Sequence, residues 1–383
     1  MDIVLIILVL LIIYAFDGYL RILKLLVHFK SGLNKNNNTN QASNDELTVT
    51  ILLTVFNEGD NVVEKITDLL KQDYPREKLT ILVASDGSSD NTDQLVQDYQ
   101  HPQVQLFRPQ LRQGKSDTQN QAIATIDTDI VLFTDCDTRF KAGFIKELMK
   151  PFREKSVGCT SGLLLFRNAK NSNIASSQSR YWNYELQIRE LESQLGILAV
   201  ATGACMAVRL NLFKAFSKTY GEDCIVPLDT VLAGYWVKHV KTAIAYDKTP
   251  ETQRTEFKAR VRMTLRNWQG TWSRADLLNP LKHPGYAFAL WSHKILRWLT
   301  PVWLILLTIL SFIAAFHSLF GLIVFVLLMV LYELAIYGFF AEKHNWKMPR
   351  LVNLAYSFML ANVGFLVGLW QAMTGRQITI YSG

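Results

Sequence analysis

The sequence predicts an α/β domain with a mostly parallel sheet, joined to one N-terminal and about three C-terminal transmembrane helices. Two observations carry this expectation. Through the middle of the chain, short β-rich runs alternate with amphipathic stretches, the order that builds a parallel sheet covered on both faces. At the two ends lie apolar runs of up to about 20 residues, long enough to cross ~30 Å of hydrocarbon at ~1.5 Å per residue. The 383 residues are 49% hydrophobic and only 19% charged, with a net charge of +7. Soluble domains average about 25% charged, so the deficit points to the membrane and excludes a disordered chain. Four cysteines are too few for a disulfide scaffold.

The first apolar run, Ile3 to Phe16, continues through Tyr19 and Leu20. It has neither a basic n-region nor a small-x-small site, so residues 1–28 read as an uncleaved anchor rather than a signal peptide. Its positive charges (Arg21, Lys24, Lys30, Lys35) all follow the run, which puts the downstream side in the cytoplasm of a multi-pass protein of the cell membrane. Residues 29–46, rich in asparagine, read as a flexible linker, and the sequon Asn37-Asn38-Thr39 within it as a chance match. The stretches Trp298–Phe316, Phe320–Phe340 and Leu351–Trp370 place three spans within 298–373, before a tail at 374–383. Three spans would leave the C-terminus outside, unless one segment lies in the interface. Cys136, Cys159, Cys205 and Cys224 show no paired spacing and read as free thiols on the cytoplasmic side.

Residues 47–250 form the soluble unit. Strands are expected at Thr48–Val55, Thr80–Ala84, Gln103–Phe107, Asp129–Phe133 and Gly158–Phe166. Helices are expected between them, at Asp60–Gln72, Thr92–Tyr99, Lys115–Ile126 and Ala142–Arg153. Ligands of such sheets sit outside the carboxyl ends of the strands. Acidic clusters occupy three of those ends: Phe56-Asn57-Glu58, Ser85-Asp86-Gly87-Ser88-Ser89-Asp90 and Asp135-Cys136-Asp137. Asp90 precedes a helix and reads as a cap. The others bring like charges to one rim, which is unfavourable without a cation or polar ligand.

Two carboxylates one residue apart suit a hard divalent cation, Mg²⁺ or Mn²⁺, sharing oxygens with a diphosphate. No GxGxxG follows the first strand and no Walker loop is present, which argues against a dinucleotide-binding dehydrogenase and a P-loop enzyme. Lys115, beside Arg112 at a helix start, is placed to reach a phosphate.

These residues resemble the family 2 glycosyltransferases of GT-A fold, in particular the membrane-integrated branch with cellulose, chitin and hyaluronan synthases. The resemblance spans roughly Leu47 to Gly270 and the flanking membrane segments. It implies that Phe56 and Glu58 border the nucleobase of a nucleotide-sugar, that Asp86 binds the uridine, and that Lys115 approaches the diphosphate. Asp135 and Asp137 match the metal-binding Asp-x-Asp. Gly221-Glu222-Asp223 is similar to the family's Thr-Glu-Asp, which implies Asp223 as general base with Glu222 beside it, and Gly234 stands where the family has a glycine. Asp229 is a rival base off that register. Thr202-Gly203-Ala204 resembles the acceptor-side segment, with Gly203 at its centre.

The final signature departs from the family. Processive members carry Gln-x-x-Arg-Trp before Gln-Gly; aligned on Gln269-Gly270, this chain keeps Arg266 but has Met263 and Asn267 in place of the glutamine and tryptophan. Trp268 comes one residue late, ~100° around a helix, so stacking on an acceptor sugar is in doubt. The resemblance therefore implies an inverting transfer from a UDP-sugar to a hydroxyl of a glycan or lipid-linked sugar. Processive β-polysaccharide synthesis, transfer to polyprenyl phosphate and a non-catalytic nucleotide-sugar-binding subunit stay open. Membrane lipids and other envelope-glycan assembly proteins are the expected partners.

Phe257, Val261, Leu265, Trp268 and Trp272 form one helical stripe, beside a basic stripe of Arg254, Lys258, Arg262 and Arg266. Residues 251–297 thus read as an amphipathic helix region at headgroup level, with Arg266 near the diphosphate. Residues 251–300 alone hold nine basic and three acidic residues, nearly the whole net charge, so a general affinity for nucleic acid is not expected.

Overall fold

The computed structural model describes residues 1–33, 47–168, 173–248, 252–344 and 346–376. The chain begins with α1 (Asp2–Ile13), which passes through a π-helical turn at Tyr14–Gly18 into α2 (Tyr19–Leu33). Asp2–Lys30 is long and apolar enough to cross a membrane. The helix continues into the stretch expected as linker because its end is docked: Lys30 donates to the carbonyls of Gln194 (2.8 Å) and Leu195 (3.3 Å). Residues 34–46 of that linker, with the sequon, and residues 377–383 of the tail lie outside the described residues.

The middle of the chain folds as α/β, as expected. β1 (Val49–Val55), α3 (Val62–Leu70), β2 (Leu79–Ser85), α4 (Thr92–Asp98), β3 (Val104–Phe107), α5 (Lys115–Ile123) and β4 (Ile130–Thr134) alternate. β5 (Arg139–Phe140), α6 (Phe144–Met149), β6 (Val157–Phe166), α7 (Asn173–Leu195), β7 (Met206–Arg209), α8 (Glu222–Leu232) and β8 (Trp236–Asp247) complete the unit. The strand order is β3-β2-β1-β4-β7-β6-β8-β5. β1 to β4 are parallel, so their carboxyl ends share one rim. Beyond β4 the sheet is mixed: β7 runs antiparallel to β4 and β6, β8 parallel to β6, and β5 antiparallel to β8.

Both faces of the sheet are buried, which is why the parallel strands read as continuous apolar runs. On β1, Ile51 and Leu53 pack with Val62, Ile66 and Leu69 of α3, whereas Leu52 points into the opposite layer with Val131 and Phe133. That second layer also contains Ile225 and Leu228 of α8, and it continues into Trp298, Phe365 and Leu369. The core of the α/β unit and the buried face of the C-terminal apolar helices are therefore one packed body.

After β8 come α9 (Gln253–Ser273), α10 (Pro284–Ala289), a π-helical turn at Leu290–Ile295, α11 (Leu296–Trp298), α12 (Thr300–Ala314), α13 (Leu319–Lys343) and α14 (Arg350–Met373). Leu319–Lys343 and Arg350–Met373 are each long and apolar enough to span. The segment expected at Trp298–Phe316 differs. It is a bent pair, Pro284–Trp298 and Thr300–Ala314, meeting at 57°. Pro301 lies in the first turn of α12 and has no N–H with which to continue a helical ladder, so the chain turns there.

α9 lies tightly on α14. A Cβ added at Gly364 would come 2.7 Å from Cγ of Arg260, and one at Gly368 2.7 Å from Cβ of Thr264. The two glycines let the backbones approach.

A buried charged network joins the N-terminal helix to the rest. Tyr19 Oη donates to Glu192 (2.8 Å), and His293 bridges Glu192 (2.8 Å) and Glu185 (2.9 Å) with its two ring nitrogens. Glu185 also binds Lys294 (2.9 Å) and Arg297 (3.0 Å), while Arg297 Nε donates to the carbonyl of Ala15 (3.2 Å). Ala15 sits in the π-helical turn, where the Tyr19 N–H is diverted to the carbonyl of Tyr14.

Candidate active site

The site is built on the rim where β1, β2 and β4 end. The order of the parallel strands reverses between β1 and β4, and such switch points open a crevice. Phe56-Asn57-Glu58 leaves β1 with Asn57 in the left-handed region (φ 55°). The loop is held by its neighbour after β2: Ser89 N–H donates to Asn57 Oδ1 (2.8 Å), and Thr92 Oγ1 accepts from Glu58 N–H (2.8 Å). Asp90 serves as a cap, accepting from the N–H groups of Thr92 (3.0 Å) and Gly59 (3.1 Å). The Arg112 guanidinium lies 3.5 Å from the centre of the Phe56 ring.

Asp86 is buried and organises the next loop. Its Oδ1 accepts from the N–H groups of Gln113 (3.2 Å) and Gly114 (3.1 Å) and from Thr118 Oγ1 (2.8 Å). Gly114 has φ 99°, which lets the chain turn sharply into α5. Lys115, the first residue of α5, then extends over the rim, with Nζ 2.7 Å from Asp135 and 2.8 Å from Glu222.

Asp135 and the exposed Asp137 flank buried Cys136 at the end of β4. A third carboxylate, Asp247, ends β8; burial, then the charges of Asp137 and Asp135, push its pKa up to about 7. Beneath the Asp-x-Asp loop, Lys65 is fully buried and donates to Thr134 Oγ1 (3.0 Å) and the carbonyl of Thr138 (2.6 Å). Among the described residues no group of three or more acidic, histidine or cysteine side chains is placed to hold a metal. Asp135 and Asp137 nevertheless offer carboxylate oxygens one residue apart at the open rim, a donor set that fits a hard cation with the remaining positions left to diphosphate and water.

Glu222 and Asp223 open α8. Burial alone would raise Glu222, but Lys115, then Arg266, outweigh it and hold its pKa near about 2. Asp223 is shifted the other way, raised by burial and then by the neighbouring Glu222 charge. Two glycines make room for the pair. A Cβ at Gly203 would lie 2.9 Å from Glu222 Oε1, and one at Gly221 would lie 2.2 Å from Asp223 Oδ1. Arg266 reaches in from α9, donating to Ser116 Oγ (3.1 Å) and to the carbonyl of Tyr220.

Asp223 opens on a cavity of about 200 Å³ whose walls include Trp182, Arg189, Lys294 and Trp298. Arg189 is fixed there by Glu185 (3.2 Å) and Thr202 (2.8 Å). Trp268 is not among the lining residues; its ring packs against Trp272 and Trp298, 5.7 and 5.9 Å between centroids. Gly203 lies against Glu222. Asp229 is turned away and bound by Arg274 through both oxygens, at 2.6 and 3.0 Å. The structure thus brings Lys115, Asp135, Glu222, Asp223 and Arg266 together, with Phe56, Glu58 and Asp86 on the adjoining loops. Sequence reasoning missed Lys65, Asp247, Arg189 and Trp298. Of these only Trp298 carried a signal, as the first residue of an expected span.

Residues 50–216 match the family model described as glycosyl transferase family 2. Curated relatives include an N-acetylglucosaminyltransferase of Azorhizobium caulinodans, 26% identical over 53% of this chain and 55% of that protein. A poly-beta-1,6-N-acetyl-D-glucosamine synthase of Staphylococcus aureus is 28% identical over 57% of this chain and 54% of its own. The chain spans about half the length of these curated relatives. Among solved structures, a mannosyltransferase from Pyrobaculum calidifontis, in complex with GDP-Man and Mn²⁺, superposes with a TM-score of 0.73 at 19% identity, covering 97% of this chain and 99% of that one.

Proposed function

This chain carries a family 2 glycosyltransferase domain, and on that premise we propose that it moves a sugar from a UDP-sugar to a hydroxyl of a glycan or lipid-linked acceptor with inversion, in the synthesis of an envelope polysaccharide. The single observation that carries the reading is the placement of Asp223: half-buried, at the head of α8, open to a cavity, and adjacent to the Lys115–Asp135–Glu222 cluster. The acceptor oxygen attacks C1 of the donor sugar, the bond from C1 to the diphosphate breaks, and the acceptor proton passes to Asp223. Its raised affinity for a proton brings the carboxylate closer to a useful base than an exposed aspartate. Lys115 and Arg266 are positioned to meet the charge of the departing diphosphate, and Phe56, Glu58 and Asp86 to line the nucleoside. A Mg²⁺ or Mn²⁺ ion held by Asp135 and Asp137 would supply further neutralisation of that charge.

The names of the curated relatives make N-acetylglucosamine the first donor sugar to try. Limited transfer is favoured over processive synthesis, because Trp268 packs away from the Asp223 cavity. The positive charges that follow the first helix support a catalytic unit on the cytoplasmic side of the cell membrane. The reading is tested by incubating the membrane-embedded protein with a panel of nucleotide sugars and Mn²⁺, then following nucleotide release and sizing the product. Absence of nucleotide release with every donor would sink the transferase reading, and a ladder of long products would overturn limited transfer.

A further inference from the structure

We propose that Arg112 reads the nucleobase of the donor: its guanidinium donates to a ring carbonyl while Asp86 accepts from the N–H beside that carbonyl, so that the site takes uracil and turns cytosine away. The inference rests on the nucleotide-sugar reading of this rim and adds a specificity-determining residue to it.

Three loops close on the Arg112 side chain. From the loop after β1, the Phe56 ring lies under the guanidinium, 3.5 Å from ring centre to Cζ. From the loop after β2, Asp86 Oδ2 stands 3.8 Å from Arg112 Nε. In that same loop Gly87 has φ 70°, and a Cβ there would come 3.2 Å from Cβ of Arg112. Arg112 itself precedes Gly114 and Lys115, in the turn that Asp86 holds at the start of α5. β1 and β2 are paired in the sheet, so the first two loops are neighbours. They form the nucleoside side of the crevice, while Lys115 leads to the diphosphate side.

Stacking on Phe56 fixes the plane of the guanidinium. A guanidinium with its face on a ring keeps its N–H groups in that plane, directed at the edge of a ligand. It has five of them, so a base carbonyl can be served together with Asp86 and other acceptors. Asp86 is buried, and its Oδ1 already accepts from Gln113 N–H, Gly114 N–H and Thr118 Oγ1. Oδ2 is the oxygen on the Arg112 side, and the 3.8 Å between them is beyond hydrogen-bond reach. The pair therefore presents one acceptor beside one donor instead of closing on itself.

That edge is complementary to the N3–H and C4 carbonyl of uracil. Cytosine reverses both groups: its amino group would face the guanidinium and its ring nitrogen lone pair the carboxylate. Guanine offers a carbonyl beside an N–H, but adds an amino group next to that N–H, and Asp86 Oδ1 is already taken by three donors. A site built from hydrogen-bonding groups strongly rejects a ligand that leaves them unpaired.

The test measures binding of UDP, CDP and GDP, each with Mn²⁺, to the full chain in nanodiscs by titration calorimetry. UDP should bind about tenfold or more tighter than CDP, and tighter than GDP. Arg112→Met removes the donors and keeps an apolar stem on Phe56. The preference for UDP over CDP should then narrow by about tenfold, since UDP loses a hydrogen bond and CDP is relieved of a donor facing its amino group. Melting temperature on the same samples reports folding. An equal loss for UDP and CDP in the variant would overturn the inference, because it is the pattern of an arginine that meets the shared diphosphate or only supports the loop. So would a wild type that binds CDP or GDP as tightly as UDP, or a preference that the variant leaves unchanged. Those outcomes leave glycosyl transfer standing; binding of none of the three nucleotides would remove the nucleotide-sugar reading and this inference with it.

Discussion

Lys115 donates to Glu222 across 2.8 Å, and this contact separates the behaviour of two adjacent carboxylates. Glu222 stays ionised well into acid, near about 2, because Lys115 and then Arg266 offset its burial. Asp223 is raised by burial and then by the charge of Glu222 next to it.

That difference fixes the sign of a pH effect. Asp223 must be unprotonated to accept a proton, so kcat/KM should fall as pH drops through its raised pKa, above the ordinary value of about 3.9. Glu222→Gln removes a raising charge and frees Lys115 and Arg266 to act on Asp223. The acid limb should move to lower pH, whatever happens to the plateau. A limb that stays in place or moves up contradicts the electrostatic account.

Asp223 and Asp229 lie on the same helix and should respond in opposite ways. Asp223→Asn should lower transfer by about a hundredfold or more while nucleotide binding persists. Asp229→Asn breaks the two-point contact with Arg274 and should lower stability by about 1–3 kcal/mol, with activity retained in the folded fraction. Steady-state kinetics and thermal melting of both variants decide it. The reverse pattern would exchange the two assignments.

Gly221→Ala tests the positioning of the base without changing any charged group. Gly221 has φ −92°, which alanine adopts readily, yet its Cβ would stand 2.2 Å from Asp223 Oδ1. The carboxylate must move, and kcat should fall about tenfold or more with little change in melting temperature. Unchanged kcat would mean that the geometry at Asp223 does not limit the reaction.

Removal of divalent cations with EDTA should stop nucleotide release, and Mn²⁺ or Mg²⁺ should restore it. Asp137→Asn should raise the cation concentration needed for half-maximal rate by about tenfold. Full activity in EDTA would exclude the assignment of Asp135 and Asp137.

Lys65 supplies a stability test. Burial pulls its pKa from 10.5 down to about 8. Between those values the unfolded chain binds the proton more tightly, so stability contributed by this group should rise with pH over that window. The melting temperature of the wild type, relative to Lys65→Met, should climb from about pH 8 to about pH 10. A flat difference would mean that Lys65 is less desolvated than its surroundings require.

The parallel half of the fold was legible because its strands are buried on both faces and so appear as apolar runs. The acidic loops follow directly from them, so Glu58, Asp86, Asp135 and Asp137 could be located by position alone. β8 was hidden because it carries Lys238, His239 and Lys241 and alternates between buried and exposed positions, and Asp247 was hidden with it. Lys65 reads as a solvated side chain on an amphipathic helix, and only the pairing of α3 with the loop after β4 shows it to be buried. Arg189 lies in a long polar helix, where nothing marks it out from its neighbours. Trp268 shows what a single-residue offset does: about 100° of rotation turns the ring from the cavity to Trp272 and Trp298. The bend between α11 and α12 depended on Pro301, which composition and hydropathy pass over.

The network around Glu185 and Glu192 bears on the order of assembly. Ala15 and Tyr19 are made before the α/β unit, whereas His293 and Arg297 follow only after it. The first helix must therefore wait with its π-turn carbonyl facing no guanidinium, and until His293, Lys294 and Arg297 arrive Glu185 has Arg189 of its own helix beside it. The joint closes only when these late residues arrive, and a fragment ending before His293 would leave Glu192 without the imidazole that bridges it to Glu185. The contact between the first helix and the α/β unit is thus completed by residues that lie beyond that unit in the chain.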